Sequence, residues 1–301
     1  MQKILCPICN SFSNNLAFSP NYITSKMKKT LIKASGSDSR GRYIYRCVSC
    51  TVYFCHPIPD QTALFEAYAS GSDENFVSQN IFRYKTFKSS FEKFIRSSDF
   101  ILPNVKITDI GAASGVFLKV IKDLGGDAHG IEANSWLVNY GKSLYKVNLT
   151  CGSILNFTGS QESVEIVTLW DVFEHLTSPN ETLIHLSSQL KIGSMVFVSL
   201  PSTDSKTFKI LKWRWPMHLD VHLYYFNKKS LEKLFSSFDF HLIYESKYPQ
   251  TLSLGYVIFR ALKIMNPKLK EKYGEFLISN FLNLIPVKYS VGQRIYVFKK
   301  A

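Results

Sequence analysis

Apolar and polar positions fall into blocks along the chain, and the blocks alternate in period. Residues 105–110 form a short apolar run that gives way, after a stretch of small residues, to helix-spaced apolar positions at 116–124. Residues 127–132 predict a second strand, 136–145 an amphipathic helix and 147–152 a third strand. Residues 165–170 are almost continuously apolar, as a strand buried on both faces requires. A helix follows at 180–190, a fifth strand at 194–200 ended by Pro201, and a helix at 230–240. Residues 256–285 predict two helices divided at Asn266-Pro267. The second carries a stripe of Tyr273, Phe276, Leu277, Asn280, Phe281 and Leu284, and residues 294–299 return as a strand. Strands alternating with helices predict an α/β fold: a doubly wound, mostly parallel sheet that binds ligands at the C-terminal ends of its strands. The late helices then form an insertion, about 251–288, before the last strand.

The turn between the first strand and helix reads Asp109-Ile110-Gly111-Ala112-Ala113-Ser114-Gly115. Small residues let the backbone approach a ligand, and the helix start offers unpaired N–H groups. Glu132, at the end of the next strand, is placed for the two hydroxyls of a ribose. The dinucleotide pattern of three glycines fails, with Ala113 at the second position and Val116 at the third. An acid two residues before the first glycine suits instead a nucleoside that carries an ammonium group. On these residues the sequence resembles the class I S-adenosylmethionine-dependent methyltransferases, whose first motif is acid-x-Gly-x-Gly-x-Gly. Ala113 departs from the middle glycine, which a negative φ would accommodate. The run Asp171-Val172-Phe173-Glu174-His175-Leu176 looks like that family's motif after the fourth strand. The resemblance implies a Rossmann-like fold. It also implies cofactor contacts from Asp109, Gly111, Ala112, Ala113, Gly115, Glu132, Ala133, Trp170 and Asp171. Ser153 stands where many relatives place an acid for the adenine amino group.

Cys6-Pro7-Ile8-Cys9 and Cys47-Val48-Ser49-Cys50 form two C-x-x-C pairs. Four soft ligands so arranged favour a closed, structural zinc site at Cys6, Cys9, Cys47 and Cys50. The long spacer, 10–46, must hold strands or an excursion. Disulfides are the alternative, but Met1-Gln2-Lys3 leads straight into the first pair without a secretory signal. A reducing, cytoplasmic setting is therefore expected. Cys55 and Cys151 read as buried small residues. The stretch 45–54, followed by Pro57-Ile58-Pro59, is similar to the ribbon of bacterial zinc-ribbon methyltransferases, with Thr51 where those carry glycine. The expected organisation is a zinc ribbon at 1–60, a helical linker or lid at 61–100, and the methyltransferase domain at 101–301.

The chain has 301 residues and a net charge of +13, yet the charge is unevenly placed. Residues 1–60 carry eight Lys/Arg against two Asp/Glu, and 247–301 carry ten against two, whereas 61–246 carry 18 against 19. The core is nearly neutral and the ends are basic, which disfavours nucleic acid as the partner without excluding it. No apolar run approaches the ~20 residues of a membrane span. The helices at 256–285, with Lys263, Lys268, Lys270 and Lys272 flanking the break between them, can serve a peripheral membrane contact or a dimer as well as packing on their own domain. Nothing in the pattern sets the oligomeric state.

Methyl transfer to a hydroxyl needs an aligned acceptor and a base. His175 lies in the segment after the fourth strand. His218 and His222 lie in the aromatic stretch 213–226, where the family commonly has a substrate-side His-x-x-x-Phe, matched by His222 to Phe226. These three are the candidate catalytic residues; no carboxylate other than Asp220 stands near to complete a metal set with His218 and His222. The expected function is O-methylation of a small molecule or saccharide by S-adenosylmethionine. An RNA methyltransferase that uses the basic ribbon, or a non-catalytic cofactor-binding scaffold, is the alternative.

Overall fold

The computed structural model describes residues 4–12, 14–19, 43–69, 71–98, 105–159, 165–219, 221–265 and 281–301. Three strands come first, β1 (Asn14–Phe18), β2 (Tyr43–Cys47) and β3 (Tyr53–His56). Helices α1 (Gln61–Ala69), α2 (Glu74–Val77) and α3 (Asn80–Arg96) follow. The alternating part runs β4 (Lys106–Ile110), α4 (Val116–Asp123), β5 (Ala128–Glu132), α5 (Ser135–Tyr145), β6 (Asn148–Cys151), β7 (Glu165–Trp170), α6 (Pro179–Gln189) and β8 (Met195–Pro201). The remainder is α7 (Lys206–Leu211), β9 (Tyr224–Tyr225), α8 (Lys228–Ser236), β10 (Phe240–Lys247), β11 (Gln250–Ser253), α9 (Leu254–Met265), β12 (Pro286–Tyr289) and β13 (Gln293–Lys300).

Seven strands form the main sheet in the order β10-β13-β8-β7-β4-β5-β6. The pairs β6–β5, β5–β4, β4–β7 and β7–β8 are parallel, and β13 runs antiparallel to both its neighbours. Every residue of β7 is buried, Glu165 and Thr168 included, which explains its mostly apolar sequence. On one face Phe91 and Phe94 of α3 meet Phe117 and Ile121 of α4 over Ile107, Ile166 and Phe197. On the other, Leu183 and Leu186 of α6 and Leu231, Leu234 and Phe235 of α8 cover Val167, Leu169, Val196 and Val198. The doubly wound, mostly parallel sheet expected from the sequence is the one observed.

A second sheet, β1-β2-β3-β9, joins the cysteine-bearing segment to the rest of the chain, because β9 comes from the aromatic stretch after β8. Three expectations need correction. The helix expected at 230–240 ends at Ser236, and Phe240 opens β10 instead. The insertion is not helical alone: α9 sits between β11 and β12, which pair with each other. Residues 281–284 form a short 3₁₀ turn, while the rest of the second expected helix lies outside the described residues.

Candidate functional site

The turn from β4 into α4 takes left-handed backbone at Gly111 (φ 72°), Ala113 (φ 48°) and Gly115 (φ 72°). Gly111 has no room for a side chain, since a Cβ there would stand 2.5 Å from Val172 Cγ2. The negative φ expected of Ala113 is not what the fold adopts. Its N–H donates to Glu132 Oε2 at 2.8 Å, and this bond across the turn offsets the strain. The other carboxylate oxygen of Glu132 accepts from the Asn134 N–H at 2.7 Å. Glu132 is fully buried, and burial raises its pKa while the amides of Asn134 and Ala113 pull the other way. Ala112 tucks its backbone N–H against the Ile131 carbonyl, and Ala133 offers its carbonyl to the Cys151 thiol.

Asp109 is 2% exposed and accepts 2.6 Å from Thr168 Oγ1 of the adjacent strand. Burial pushes its carboxyl up to about 8. Above it the segment after the ribbon closes in. Asn80 of α3 bonds Ser114 Oγ at 2.9 Å, and the Asn134 amide donates to the carbonyls of Tyr68 (2.9 Å) and Gly71 (2.7 Å). The Tyr68 phenol is pushed well up, first by burial and then by the neighbouring Glu132. Arg83 lays its guanidinium 3.3 Å from the centre of the Phe76 ring. Burial lowers its pKa, against the attraction of Tyr256, Tyr248, Asp171 and Asp73. No carboxylate among the described residues comes within ion-pair distance of it. Tyr68, Arg83 and Thr168 carry no local motif, and only the tertiary fold brings them to this edge.

Asp171, just past β7, also has a positive φ of 54°. Its carboxylate accepts from Ser199 Oγ, Gln250 Nε2 and Gln293 Nε2 at 3.0, 3.1 and 3.2 Å, which ties the motif to β11 and β13. Trp170 packs among Phe117, Phe197 and Tyr248. Ser153 caps a short 3₁₀ turn, with its hydroxyl taking the Leu155 N–H and its own N–H donating to Asn156 Oδ1.

The three histidines separate. His175 donates through Nδ1 to the Val221 carbonyl at 2.8 Å, and burial brings its pKa down to about 4. His222, 4% exposed, meets the Met217 carbonyl through Nδ1 at 2.8 Å, and its ring centre is 4.8 Å from that of His175. His218 turns elsewhere, into a cluster of Phe18, Phe208, Trp215 and Tyr225 rings. Asp220 lies outside the described residues. The carboxylate near His222 is Glu174, which sequence spacing did not reveal because 47 residues of chain intervene.

At the other module, Cys6 Sγ and Cys50 Sγ are 3.7 Å apart and Cys9 Sγ and Cys47 Sγ 3.6 Å, with all four within 4.8 Å of one another. A tetrahedral site with ~2.3 Å metal–sulfur bonds has edges of about 3.8 Å, so the thiols already stand at zinc-ligand spacing. Both pairs end in left-handed residues, Asn10 (φ 54°) and Thr51 (φ 66°), whose N–H groups return to the Cys6 and Cys47 carbonyls. Cys55 is buried and bonds the His222 carbonyl, whereas Cys151 is exposed, contrary to expectation.

The model of a methyltransferase-domain family matches residues 82–245, more than half the chain. The chain is similar in structure to the magnesium protoporphyrin IX methyltransferase of Synechocystis, solved with bound SAH. The identity is 12%, the TM-score 0.51, and the match covers 80% of this chain and 100% of that one. A methyltransferase structure described as putative, from Bacillus halodurans, has 12% identity and a TM-score of 0.50, covering 70% and 98%. No curated protein matches the sequence. The family match, on a sheet of this order, identifies the chain as a member of the methyltransferase-domain family and a class I S-adenosylmethionine-dependent methyltransferase.

Proposed function

We propose that this methyltransferase acts on a hydroxyl of a small molecule or saccharide, and that its four clustered cysteines hold a structural zinc ion. The observation that carries the reading is convergence at one sheet edge. Asp109 ends β4 and Glu132 ends β5, and the Asp171–His175 segment follows β7. S-Adenosylmethionine, when bound, supplies an activated methyl and its own leaving group. Asp109 is positioned for the ammonium, and Glu132 keeps lone pairs for the ribose hydroxyls beyond the two amides it already accepts. Arg83, with no carboxylate at ion-pair distance among the described residues, is proposed to meet an anionic group of the cofactor or the acceptor. With no metal ion bound, His175 and His222, beside Glu174, form the polar cluster available to an acceptor hydroxyl proton. His218 has no part in this reading, because aromatic rings enclose it. The reading keeps the chain in the cytoplasm, where thiols stay reduced and free for zinc. Among the described residues no helix is long and apolar enough to cross a membrane.

Calorimetry with S-adenosylhomocysteine tests the cofactor half. Glu132→Ala and Asp109→Ala are each expected to weaken binding at least tenfold, and wild-type affinity in both would remove the site from this edge. Turnover against hydroxylated small molecules, saccharides and RNA tests the acceptor half. Methylation of RNA alone, with binding that falls steeply with salt, would overturn it.

A further inference from the structure

Glu174 is the most anomalous group in the structure. It is 1% exposed, and neither of its carboxylate oxygens has a hydrogen-bond partner among the described residues. A buried carboxylate so placed is costly unless a proton or a cation joins it. Two imidazoles stand around it. One ligand atom from each of Glu174, His175 and His222 lies within 4.8 Å of the other two, and His222 Nε2 is 3.9 Å from Glu174 Oε1. Both imidazoles place Nδ1 against a main-chain carbonyl, Val221 for His175 and Met217 for His222. A carbonyl only accepts, so Nδ1 is the donor in each ring and, in the neutral tautomer, Nε2 bears a lone pair; the Asp171 carbonyl is a second main-chain acceptor beside His175. This is the arrangement that orients metal-ligating histidines. The scaffold is doubly tied, because the Leu223 N–H donates to the Glu174 carbonyl at 2.8 Å, while the Cys55 thiol of β3 holds the His222 carbonyl.

We propose that Glu174, His175 and His222 form a second metal site, distinct from the four-cysteine cluster, which takes a divalent transition ion such as Zn²⁺, Mn²⁺ or Fe²⁺. Two imidazoles and one carboxylate suit these borderline ions and not the soft-sulfur chemistry of the other cluster. Shortening the 3.9 Å separation by about half an ångström brings oxygen and nitrogen to the spacing of ligands on ~2.0–2.2 Å bonds. Three protein ligands leave positions open for water or for an oxygen of a small molecule. The rival is a proton held between Glu174 and His222 with no ion at all.

Cobalt separates the two sites in the whole protein. Wild-type protein equilibrated with Co²⁺ is expected to bind two equivalents. One gives the intense near-ultraviolet thiolate band, and the other gives only weak visible bands of nitrogen and oxygen ligation. Glu174→Gln and His222→Asn should each lose the second equivalent and keep the thiolate band, which also reports that the ribbon remains folded. His218→Asn should retain both. Metal content by mass spectrometry after equilibration with Zn²⁺ should fall from two to one per chain in Glu174→Gln. A wild-type protein that binds a single equivalent, or a second equivalent that survives both substitutions, would overturn the proposal.

Discussion

Asp109 shows how far one buried acid can link the fold to its ligand. The Thr168 hydroxyl is its single side-chain partner among the described hydrogen bonds, and burial raises its pKa from 3.8 to about 8. Between those values the folded protein keeps a proton that the unfolded chain has lost. Its contribution to the stability of the free protein is therefore fully present below about 4 and is lost as pH rises through about 8. An ammonium bound at Asp109 as proposed would reverse the preference and drive the proton off. S-Adenosylhomocysteine binding at pH 7 should then release up to one proton, read as a difference in calorimetric enthalpy between buffers of unlike ionisation heat. Asp109→Asn should abolish the difference; equal enthalpies in the wild type would separate Asp109 from the ammonium. The neighbouring Gly111 makes a purely steric case. A methyl there meets Val172 at φ 72°, so Gly111→Ala should cost about 2 kcal/mol or more in urea unfolding. Asp109, Glu132 and both glycines were legible in sequence, because strand-end acids and turn glycines have local signatures. The left-handed φ of Ala113 was not, since alanine carries no such mark; the distant Glu132 carboxylate imposes it.

At the scale of elements, the cysteine pairs do not stand apart from the catalytic fold. Phe54 and Val52 share an apolar cluster with Leu223, Tyr224 and Phe226, and Cys55 N–H donates to the Leu223 carbonyl at 2.8 Å. Thr51 and Asn227 bond side chain to side chain across the same junction. If the four cysteines hold zinc as proposed, removing it should thus loosen more than the cysteine-bearing segment. A strong chelator, or Cys47→Ser, is expected to lower the melting temperature and to raise hydrogen exchange at Tyr224–Tyr225 as well as at the cysteines. Exchange confined to residues 4–56 would show instead that the modules are independent. The cysteine spacing announced the clustering of Cys6, Cys9, Cys47 and Cys50, but β9 is two residues long and no periodicity could reveal it. Similarly, β10 reads as a continuation of α8 until the Ser-rich stop at 236–237 and the positive φ of Asp239 are seen together.

Across the whole molecule, four stretches far apart in sequence enclose the proposed cofactor edge: α1–α2, the start of α3, β11 and the turn after β4. Glu132 is fully buried beside Tyr68, so a ribose bound as proposed would reach it only when the backbone at Tyr68 and Gly71 moves outward. The Asn134 amide is the fastener, through its bonds to the Tyr68 and Gly71 carbonyls, while its side-chain oxygen separately caps α5 at the Leu137 N–H. The two duties can be parted. Serine keeps a helix-capping oxygen but is too short to reach both carbonyls, so Asn134→Ser should leave thermal stability within about 1 kcal/mol. It should nevertheless speed S-adenosylhomocysteine dissociation several-fold in stopped flow. In the wild type, bound ligand should slow hydrogen exchange at 61–77 and 250–253 together, because Asp171 ties the β11 side chain of Gln250 to the same edge. Sequence could suggest a helical lid ahead of the sheet, but not its fastener, because Asn134 shows its capping role locally and its grip on Tyr68 only in three dimensions. If dissociation in Asn134→Ser matches wild type, the segment covers the site without controlling access to it. The enclosure would then have to open at Arg83 and α9 instead.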